Sequence, residues 1–366
     1  MTHAAINARF TVDFYNGNAQ GFALDVDMAL PGSGIIALFG HSGSGKTTLL
    51  RCIAGLEYSQ QGELTVNGEV WQHADAFIAT HQRQLAYVFQ EASLLPHLTV
   101  QANLNYAVKR ASKPATENLT AIISIMGLRP LLRQFPDQLS GGEKQRVALA
   151  RSLIIQPKLI LMDEPLASLD TARKQEILPY LETLKTATHV PIIYVSHDIN
   201  EVARLADYVV VLEHGKVAMQ GPVGQVLPHI SQLQGLAEEA SVVLSAEVLA
   251  RDTQWHLLQV KLTNSPKSYL WLRDSGEEIG QTLRLRLLAK DLSIALDDHR
   301  DSSIANRIAC NIIATQSDPD DAMILVKLQI ENCSLLARIT QRSFSQLKLC
   351  VGMQVWAQIK SVAIIN

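Results

Sequence analysis

Two patterns of hydrophobic and polar positions divide the chain. In the first part, strand-sized apolar runs such as Ile35–Phe39, Leu159–Met162 and Pro191–Val195 are followed by polar loops and helical patterns. From Ser241 onward the apolar positions alternate with polar ones, which is typical of strands with one solvated face. No apolar run approaches the ~18 residues that a membrane-spanning helix needs. The pattern therefore predicts an α/β domain over residues 1–235 and an all-β tail.

The end of the first domain is marked by prolines. A helix near Ile199–Leu205 and a strand over Tyr208–Leu212 carry the α/β pattern to about residue 230. Pro222 and Pro228 then bracket a short helical piece. Residues 231–240 are predicted to link this piece to the tail.

The tail contains many short predicted strands separated by Gly, Asp and Asn turns, a pattern that favours a small barrel. The clearest strands are Leu257–Leu262, Leu283–Leu287, Met323–Ile330, Ser334–Ile339 and Val355–Ile359. The segment Gly280–Leu287 resembles Gly352–Ile359, which suggests an internal duplication into modules 241–300 and 301–366. A β pattern shared by unrelated strands would give the same similarity.

Composition narrows the class of protein. The 32 Lys and Arg residues against 35 Asp and Glu residues give a net charge of −3, which argues against a basic nucleic-acid surface. With 47% hydrophobic and 18% charged residues, the chain can build packed cores. The four cysteines form no CxxC pair, and the N-terminus shows no signal-peptide pattern. We expect a soluble intracellular protein with free thiols.

The run Ile35–Phe39 leads into a glycine-rich loop of the form G-x-x-x-x-G-K-T and then into a helical pattern. Glycines let backbone N–H groups surround phosphate oxygens, and the following helix directs its positive end at them. Lys46 would contact the β and γ phosphates, and the Thr47 hydroxyl can ligate Mg²⁺. The alternative is an ordinary glycine-rich turn. The candidate nucleotide-binding residues are Gly40, His41, Ser42, Gly43, Ser44, Gly45, Lys46, Thr47 and Thr48.

A second candidate phosphate site begins at Ser140. Ser140 and Glu143 form a capping-box pattern, so a helix should start there, with Gly141 and Gly142 leaving its N–H groups open to an anion. A well-capped surface helix explains these four residues equally well. The longer run Leu139–Arg151 resembles the signature motif of ABC-transporter ATPases. This resemblance implies that Ser140, Gly141 and Gly142 bind the γ-phosphate of a partner in a head-to-tail homodimer that buries two ATP molecules.

Two carboxylates follow the apolar run Leu159–Met162. Their position at the end of a strand places Asp163 beside the phosphate loop, where it can hold Mg²⁺ through water. Glu164 would then be the general base or the carboxylate that orients water. Acidic residues that favour a helix N-terminus are the alternative. Asp170 lies in a segment that resembles the family's D-loop, which implies coupling between the two ATP sites.

Two further residues gain roles from the same resemblance. His197, at the end of another buried strand, matches the family's switch histidine, which implies contact with the γ-phosphate and with Glu164. Gln90 matches the Q-loop glutamine, which implies contact with Mg²⁺ and the attacking water and a loop that meets the transport subunit. Without the resemblance, they would be a structural histidine and a loop amide. Adenine would stack on one of the aromatic residues Phe14, Tyr15 and Phe22.

The tail carries a resemblance of its own. The segments Ser302–Cys310 and Gln358–Ile364 resemble molybdate-binding Mop modules of the TOBE type. Short donors and a cation suit a tetrahedral dianion, because they form charge-assisted hydrogen bonds with it. Ala305 stands where the family motif has Arg, so one bidentate donor is missing. A barrel that only mediates dimerisation is the alternative. The candidate oxyanion residues are Ser303, Asn306, Lys360 and Ser361.

Along its whole length the chain resembles the ATPase subunits of molybdate importers. This implies an α/β P-loop NTPase fold, with a RecA-like core and a helical subdomain, followed by an all-β OB-like (Mop/TOBE) domain. ATP and Mg²⁺ are the implied cofactors, and no nucleic acid is expected. The implied partners are a second copy of the chain, two integral-membrane permease subunits and, indirectly, a periplasmic oxyanion-binding protein, with molybdate or tungstate as a regulatory ligand. The implied location is peripheral, on the cytoplasmic face of the inner membrane.

Three alternatives stay open on the sequence. The cargo of the importer could be sulfate, iron or a sugar, since many such subunits have barrel tails. A soluble ABC ATPase that acts on nucleic acid or ribosomes usually carries paired cassettes, whereas this chain has one phosphate loop. A molybdate storage or sensing protein with a vestigial ATPase is disfavoured because Lys46, Asp163, Glu164 and His197 are all present.

Overall fold

A computed structural model describes residues 6–14, 22–111, 116–233, 240–299 and 301–365 of the chain. The chain divides into two compact units, Met1–Gly221 and Pro222–Asn366. Among the described residues, no helix combines the length and the apolar character needed to cross a bilayer.

Eleven of the described strands form one sheet in the first unit. They are β1 (Ile6–Phe14), β2 (Phe22–Leu30), β3 (Ile35–Phe39), β4 (Glu63–Val66), β5 (Glu69–His73), β6 (Ala76–Phe77), β7 (Leu85–Val88), β8 (Leu159–Asp163), β9 (Ile192–Ser196), β10 (Tyr208–Glu213) and β11 (Lys216–Pro222). Their order is β6-β5-β4-β1-β2-β11-β10-β3-β9-β8-β7.

The strands β10, β3, β9, β8 and β7 run parallel to one another. β3 and β9 are buried throughout, as is typical of parallel strands whose two faces are mostly apolar. Since neighbouring parallel strands end at the same edge, the segments after β3, β8 and β9 lie close together. The phosphate loop, the Asp163–Glu164 pair and His197 follow these three strands.

The helices of this unit are α1 (Lys46–Ala54), α2 (Val100–Val108), α3 (Thr116–Ile125), α4 (Gly141–Ile154), α5 (Thr171–Ala187) and α6 (Ile199–Leu205). α2, α3 and α4 pack through buried side chains such as Leu104, Ile122 and Val147. They form a helical subdomain beside the parallel strands. The predicted α/β P-loop core with a helical subdomain is confirmed.

A buried cation supports the far end of α1. The guanidinium of Arg83 donates through Nη1 to the carbonyl oxygens of Cys52 and Ile53 at 3.2 and 2.6 Å, and through Nε to Ile78 at 2.7 Å. The carbonyls of Cys52 and Ile53 belong to the last turn of α1, where a helix carries partial negative charge. Burial lowers the pKa of Arg83 to about 10. The side chain therefore anchors the helix that begins at the phosphate loop.

The second unit begins with a helix that is longer than predicted. α7 (Val223–Leu233) continues through Pro228 rather than ending there. A proline inside a helix loses one backbone hydrogen bond, but packing of an apolar face outweighs this loss. Val226, Leu227 and Ile230 are buried on that face, and Gly224 lies next to Val243. The division between the units accordingly falls at Gly221, before the predicted residue 235.

The described strands of the tail form two sheets of five. The elements are β12 (Ser241–Asp252), β13 (Leu257–Leu262), β14 (Ser265–Arg273), β15 (Thr282–Leu288), β16 (Leu292–Ala295), β17 (Asn306–Ser317), β18 (Met323–Ile330), β19 (Cys333–Thr340), α8 (Gln341–Gln346), β20 (Gln354–Ile359) and β21 (Ala363–Ile364). The sheets have the orders β14-β13-β12-β15-β21 and β16-β20-β17-β18-β19. They enclose one hydrophobic core.

The two sheets of the tail have the same strand arrangement. β12 to β15 correspond to β17 to β20, and the register shifts between Val248 and Ala250 just as it does between Ile312 and Ala314. The final strand of each repeat is exchanged, because β16 pairs with β20 and β21 pairs with β15. The division at residue 300 therefore does not separate two complete sheets. Pairing between strands far apart in the chain leaves no local pattern.

Candidate functional site

The phosphate loop joins β3 to α1. Gly43 and Gly45 have φ values of +81° and +102°, a region that glycine enters without strain. Gly45 occupies the N-cap of α1 and supplies no side-chain cap, so the first N–H groups of the helix are left for a ligand. A Cβ on Gly43 would meet no atom within 4 Å, which shows that the loop is open on that side. The loop has the shape that an anion-binding helix start requires.

Lys46 is 5% exposed and lies inside this loop. Its Nζ donates to the carbonyl oxygens of Gly40 and His41 at 2.7 and 2.8 Å. Burial lowers the pKa of Lys46, while the nearby carboxylates of Glu164 and Asp163 raise it. The Oγ of Ser44 is buried and has no hydrogen-bond partner in the described part of the chain. Two groups of the loop thus offer hydrogen bonds to a phosphate.

Asp163 ends β8 beside α1. Its Oδ1 accepts a hydrogen bond from Thr47 Oγ1 at 3.1 Å, and its Oδ2 accepts one from Tyr87 Oη at 3.1 Å. Burial and the charge of Asp163 raise the pKa of Tyr87, so the phenol stays a donor. The sequence did not reveal the role of Tyr87, because the contact depends on β7 being the neighbour of β8. The pairing fixes the orientation of the Asp163 carboxylate.

The residue after Asp163 turns sharply. Glu164 has a φ of +44°, in the left-handed region that costs a non-glycine residue about 1–2 kcal/mol. Such strain is concentrated at functional sites. Its Oε2 lies 3.2 Å from Nδ1 of His197, which follows β9. The structure therefore brings together the two residues predicted to act on the γ-phosphate and the attacking water.

Phe22, Ser42, Gly43, Gly45, Lys46, Thr47, Thr48 and Glu164 line an open cleft of about 450 Å³. Among the three candidate aromatic residues, Phe22 lies in this cleft, against Gly45. Tyr15 and the side chain of Phe14 lie outside the described residues.

The remaining predicted residues of this unit lie outside the lining of the cleft. Gln90 is exposed, two residues beyond the end of β7 and at the same edge as Asp163. Ser140 caps α4, with the reciprocal bonds of a capping box to Glu143 at 2.8 and 3.3 Å. Gly141 and Gly142 form the first turn of that helix. Asp170 caps α5 by accepting a bond from the backbone N–H of Arg173 at 2.9 Å.

The donors around Asp163 suit magnesium. Mg²⁺ prefers oxygen ligands and keeps several waters, so a hydroxyl and a carboxylate suffice alongside phosphate oxygens. Thr47 and Asp163 present these oxygens side by side. Among the described residues that line the cleft, Lys46 is the one cation, and the carboxylates of Glu164 and Asp163 lie near it. A nucleotide triphosphate therefore needs further positive charge there. The residues present fit Mg²⁺.

The predicted oxyanion residues of the tail are partly engaged within the chain. Asn306 accepts from the backbone N–H of Trp271 at 2.7 Å and donates to its carbonyl at 2.8 Å, which ties β17 to β14. Ser361 Oγ donates to the carboxylate of Asp291 at 2.6 Å. Lys360 and Ser303 are exposed. Asn306 and Ser361, two of the four candidate oxyanion residues, therefore already form hydrogen bonds within the chain.

The missing arginine of the motif is not replaced by its neighbour. Arg307 lies two positions after Ala305, but its Nε donates to Asp298 at 2.9 Å and its Nη1 to the carbonyl of Ile304 at 2.8 Å. The guanidinium therefore holds the loop before β17 in place. The number of donors for an oxyanion stays lower than the family motif provides.

Comparisons with known proteins agree with both halves of the chain. The family described as ABC transporter matches residues 24–167, and the TOBE domain family matches residues 302–365. A molybdenum import ATP-binding protein ModC from Thiobacillus denitrificans is 50% identical over 99% of this chain and 98% of its own length. The ModC protein of Methylococcus capsulatus is 48% identical, with 99% of each chain covered. ModC 1 of Azotobacter vinelandii is 46% identical, with both chains fully covered.

Solved structures resemble the first unit. A dimeric ATP-binding cassette in a post-hydrolysis state, bound to ADP and phosphate, matches 60% of this chain and 98% of its own, with a TM-score of 0.51 and 25% identity. The protein cbiO1 from Clostridium perfringens, part of an ABC transporter complex, matches 63% of this chain and 96% of its own. Its TM-score of 0.54 and 23% identity show a shared fold.

Proposed function

Because this chain belongs to the ModC family of molybdenum import ATP-binding proteins, we propose that it is the ATP-hydrolysing subunit of an ABC importer that takes up molybdate. The observation that carries the proposal is the meeting of Glu164 with His197, at 3.2 Å, next to the phosphate loop of a chain with full-length ModC relatives. The sequence resemblance to importer ATPases is confirmed by these relatives. Hydrolysis of ATP coupled to transport is the activity of such a subunit.

The side chains divide the work of hydrolysis between them. Lys46 and the N–H groups at the start of α1 bind the phosphates. Glu164 orients the attacking water and accepts its proton, while His197 holds the carboxylate and leaves Nε2 for the γ-phosphate. Thr47 and Asp163, with Gln90 from the neighbouring loop, would hold Mg²⁺. When bound, Mg²⁺ would offset the negative charge of the phosphates.

A head-to-tail homodimer is part of the proposal. Ser140, Gly141 and Gly142 are not among the described residues that line this chain's own cleft, so they are assigned to the ATP of a second copy. The start of α4 presents N–H groups for that purpose. Asp170, at the start of α5, would pass the state of one site to the other. The post-hydrolysis relative, which is a dimer, supports this arrangement.

A groove beside the Q-loop is proposed as the docking surface for one membrane permease subunit, so that the two copies of a dimer would dock two permease subunits. It measures about 240 Å³ and lies between β7, α2 and α4. Phe89 is 48% exposed at its edge, Arg110 stacks on Tyr106 at 3.6 Å, and Arg151 holds Ser93 through its carbonyl at 2.7 Å. Aromatic and arginine side chains are enriched where proteins bind one another. Docking would place the chain on the cytoplasmic face of the inner membrane, opposite a periplasmic oxyanion-binding protein.

Deleting the gene is expected to abolish uptake of radioactive molybdate by the cells. The parental chain should restore uptake and Glu164→Gln should not, whereas Glu63→Gln, at an exposed position of β4, should behave like the parent. Sulfate uptake, measured in parallel, should be unchanged by the deletion. Loss of sulfate or iron uptake with normal molybdate uptake would assign a different cargo.

The tail is proposed to bind molybdate or tungstate as a regulatory ligand. Calorimetry on the full chain should show binding of both anions but not of sulfate. Lys360→Ala should weaken this binding about 10- to 100-fold, because a hydrogen bond to a charged group contributes about 1.5–3 kcal/mol. Lys216→Ala, an exposed position in the ATPase unit, is the matched control. Absence of binding would reduce the tail to a dimerisation module.

A further inference from the structure

A carboxylate lies almost fully buried behind His197. Glu201 of α6 is 5% exposed. Its Oε2 accepts hydrogen bonds from Tyr194 Oη and Ser196 Oγ, both at 2.7 Å. A buried carboxylate without partners would be strongly destabilising, so this one requires the hydrogen bonds and an opposite charge. Both hydroxyls come from β9, the strand that ends at the switch histidine.

The opposite charge comes from a different part of the unit. Lys174 Nζ lies 2.7 Å from Glu201 Oε1 and 3.2 Å from Asp198 Oδ2. Burial lowers the pKa of Lys174, but the hydrogen bonds and charges of Glu201 and Asp198 together raise it by more. The net shift of the pKa is upward, so Lys174 stays protonated. Lys174 belongs to the first turn of α5, where its backbone N–H donates to the carbonyl of Asp170 at 2.9 Å. The ion pair therefore links α6 to the start of α5.

The residues immediately before and after His197 are held by the same network of hydrogen bonds. Ser196, on one side of it, donates to Glu201 and accepts from the backbone N–H of Asp198, on the other side, at 3.0 Å. Asp198 caps α6 and contacts Lys174. Both neighbours of His197 are thus fixed to the Glu201–Lys174 pair. The imidazole itself contacts Glu164.

We infer that Glu201 and Lys174 are positioning residues that hold the switch loop (Ser196–Asp198) in register with the D-loop (Ser168–Asp170). A buried ion pair contributes little net stability compared with apolar side chains of the same size. The directional contacts of the pair instead fix one geometry, in which His197 contacts Glu164 and Asp170 caps α5. The inference rests on the proposed ATPase function and names residues outside the phosphate-binding motifs.

The test compares kcat and KM for ATP in Glu201→Gln and Lys174→Met. Both variants are expected to lower kcat about 10- to 100-fold, because a displacement of about 1 Å at the reacting groups has effects of this size. KM should stay within about threefold, since neither residue contacts the nucleotide-binding loop. Lys174→Arg should recover much of kcat, because a guanidinium can also bridge both carboxylates. Glu176→Gln, at an exposed position of α5, is the control.

The double variant separates positioning from stability. If the two residues act as one unit, Glu201→Gln with Lys174→Met should lose no more kcat than either single variant. Thermal unfolding of each variant gives the folded fraction, to which kcat is normalised. A normalised kcat equal to that of the parent, whatever the shift in Tm, would overturn the inference. If Glu201→Gln does not fold, Lys174→Met and Lys174→Arg decide the question.

A second measurement tests the effect of Lys174 on the D-loop in the absence of ATP hydrolysis. In a Glu164→Gln background, ATP-dependent dimerisation is followed by gel filtration, and adding Lys174→Met should raise the protein concentration required for dimerisation at saturating ATP about 10-fold. Unchanged dimerisation would confine the effect to His197 and overturn the D-loop half of the inference. A parental chain that neither hydrolyses ATP nor dimerises would contradict the proposed function instead, so the two failures are distinguishable.

Discussion

Glu164→Gln is expected to lower kcat for ATP hydrolysis by about 10²- to 10⁴-fold, the usual contribution of a positioned general base. Glutamine has nearly the same shape as glutamate but cannot accept a proton from water. The strained turn at Glu164 and the contact with His197 aim this carboxylate at the phosphate loop. Because the phosphate-binding residues are untouched, the Kd for ATP should stay within about threefold. The variant should accumulate as an ATP-bound dimer.

The measurement is steady-state hydrolysis together with equilibrium binding of ATP. Glu63→Gln removes an exposed carboxylate and should leave both quantities at the parental values. Parental turnover in Glu164→Gln would show that another group activates the water. Weakened ATP binding would instead indicate that Glu164 supports the shape of the loop.

Lys46→Ala is expected to act on binding itself. Lys46 is buried in the phosphate loop, and a hydrogen bond from its cation to a phosphate oxygen contributes about 1.5–3 kcal/mol. Its loss should raise the Kd for ATP about 10- to 100-fold. Turnover should also fall, because the same charge stabilises the transferring phosphoryl group. The pattern differs from that of Glu164→Gln, in which affinity is retained.

Calorimetric titration with a non-hydrolysable ATP analogue measures this loss. Lys109→Ala, which removes an exposed cation at the end of α2, should bind like the parent. Lys46→Met fills the same space without charge and separates electrostatics from packing. Undiminished affinity in both variants would show that Lys46 stays on the carbonyl oxygens of Gly40 and His41 when nucleotide is bound.

The elements around the phosphate loop could be predicted because each is encoded locally. The run Ile35–Phe39, the glycines after it and the Ser140–Glu143 capping box form a strand, an open loop and a helix start wherever they occur. The tail strands Leu257–Leu262 and Met323–Ile330 were predicted to the residue from alternation alone. Local physics decides these features, so a single sequence is sufficient.

The unpredicted features depend on which elements become neighbours. Tyr87 reaches Asp163 only because β7 lies next to β8. Glu201 lies on a short helix, where a glutamate is ordinarily exposed to solvent. It is buried here because Lys174, on another helix, forms an ion pair with it. Pro228 stays inside α7 because tertiary burial outweighs a local preference. Asn306 was predicted from a motif to be an anion ligand, but its side-chain amide forms hydrogen bonds with the backbone of Trp271.

The exchanged strands of the tail have a consequence for biosynthesis. Leu285 pairs with Ile364, across roughly 80 residues of chain, so the first sheet lacks an edge strand until the second repeat has been translated. At about 5–20 residues per second, this interval lasts about 4–16 s, during which the edge of β15 is exposed to other nascent chains. Pairing over such distances also slows folding. Neither repeat can therefore mature on its own, and the ribosome must release both before either sheet closes.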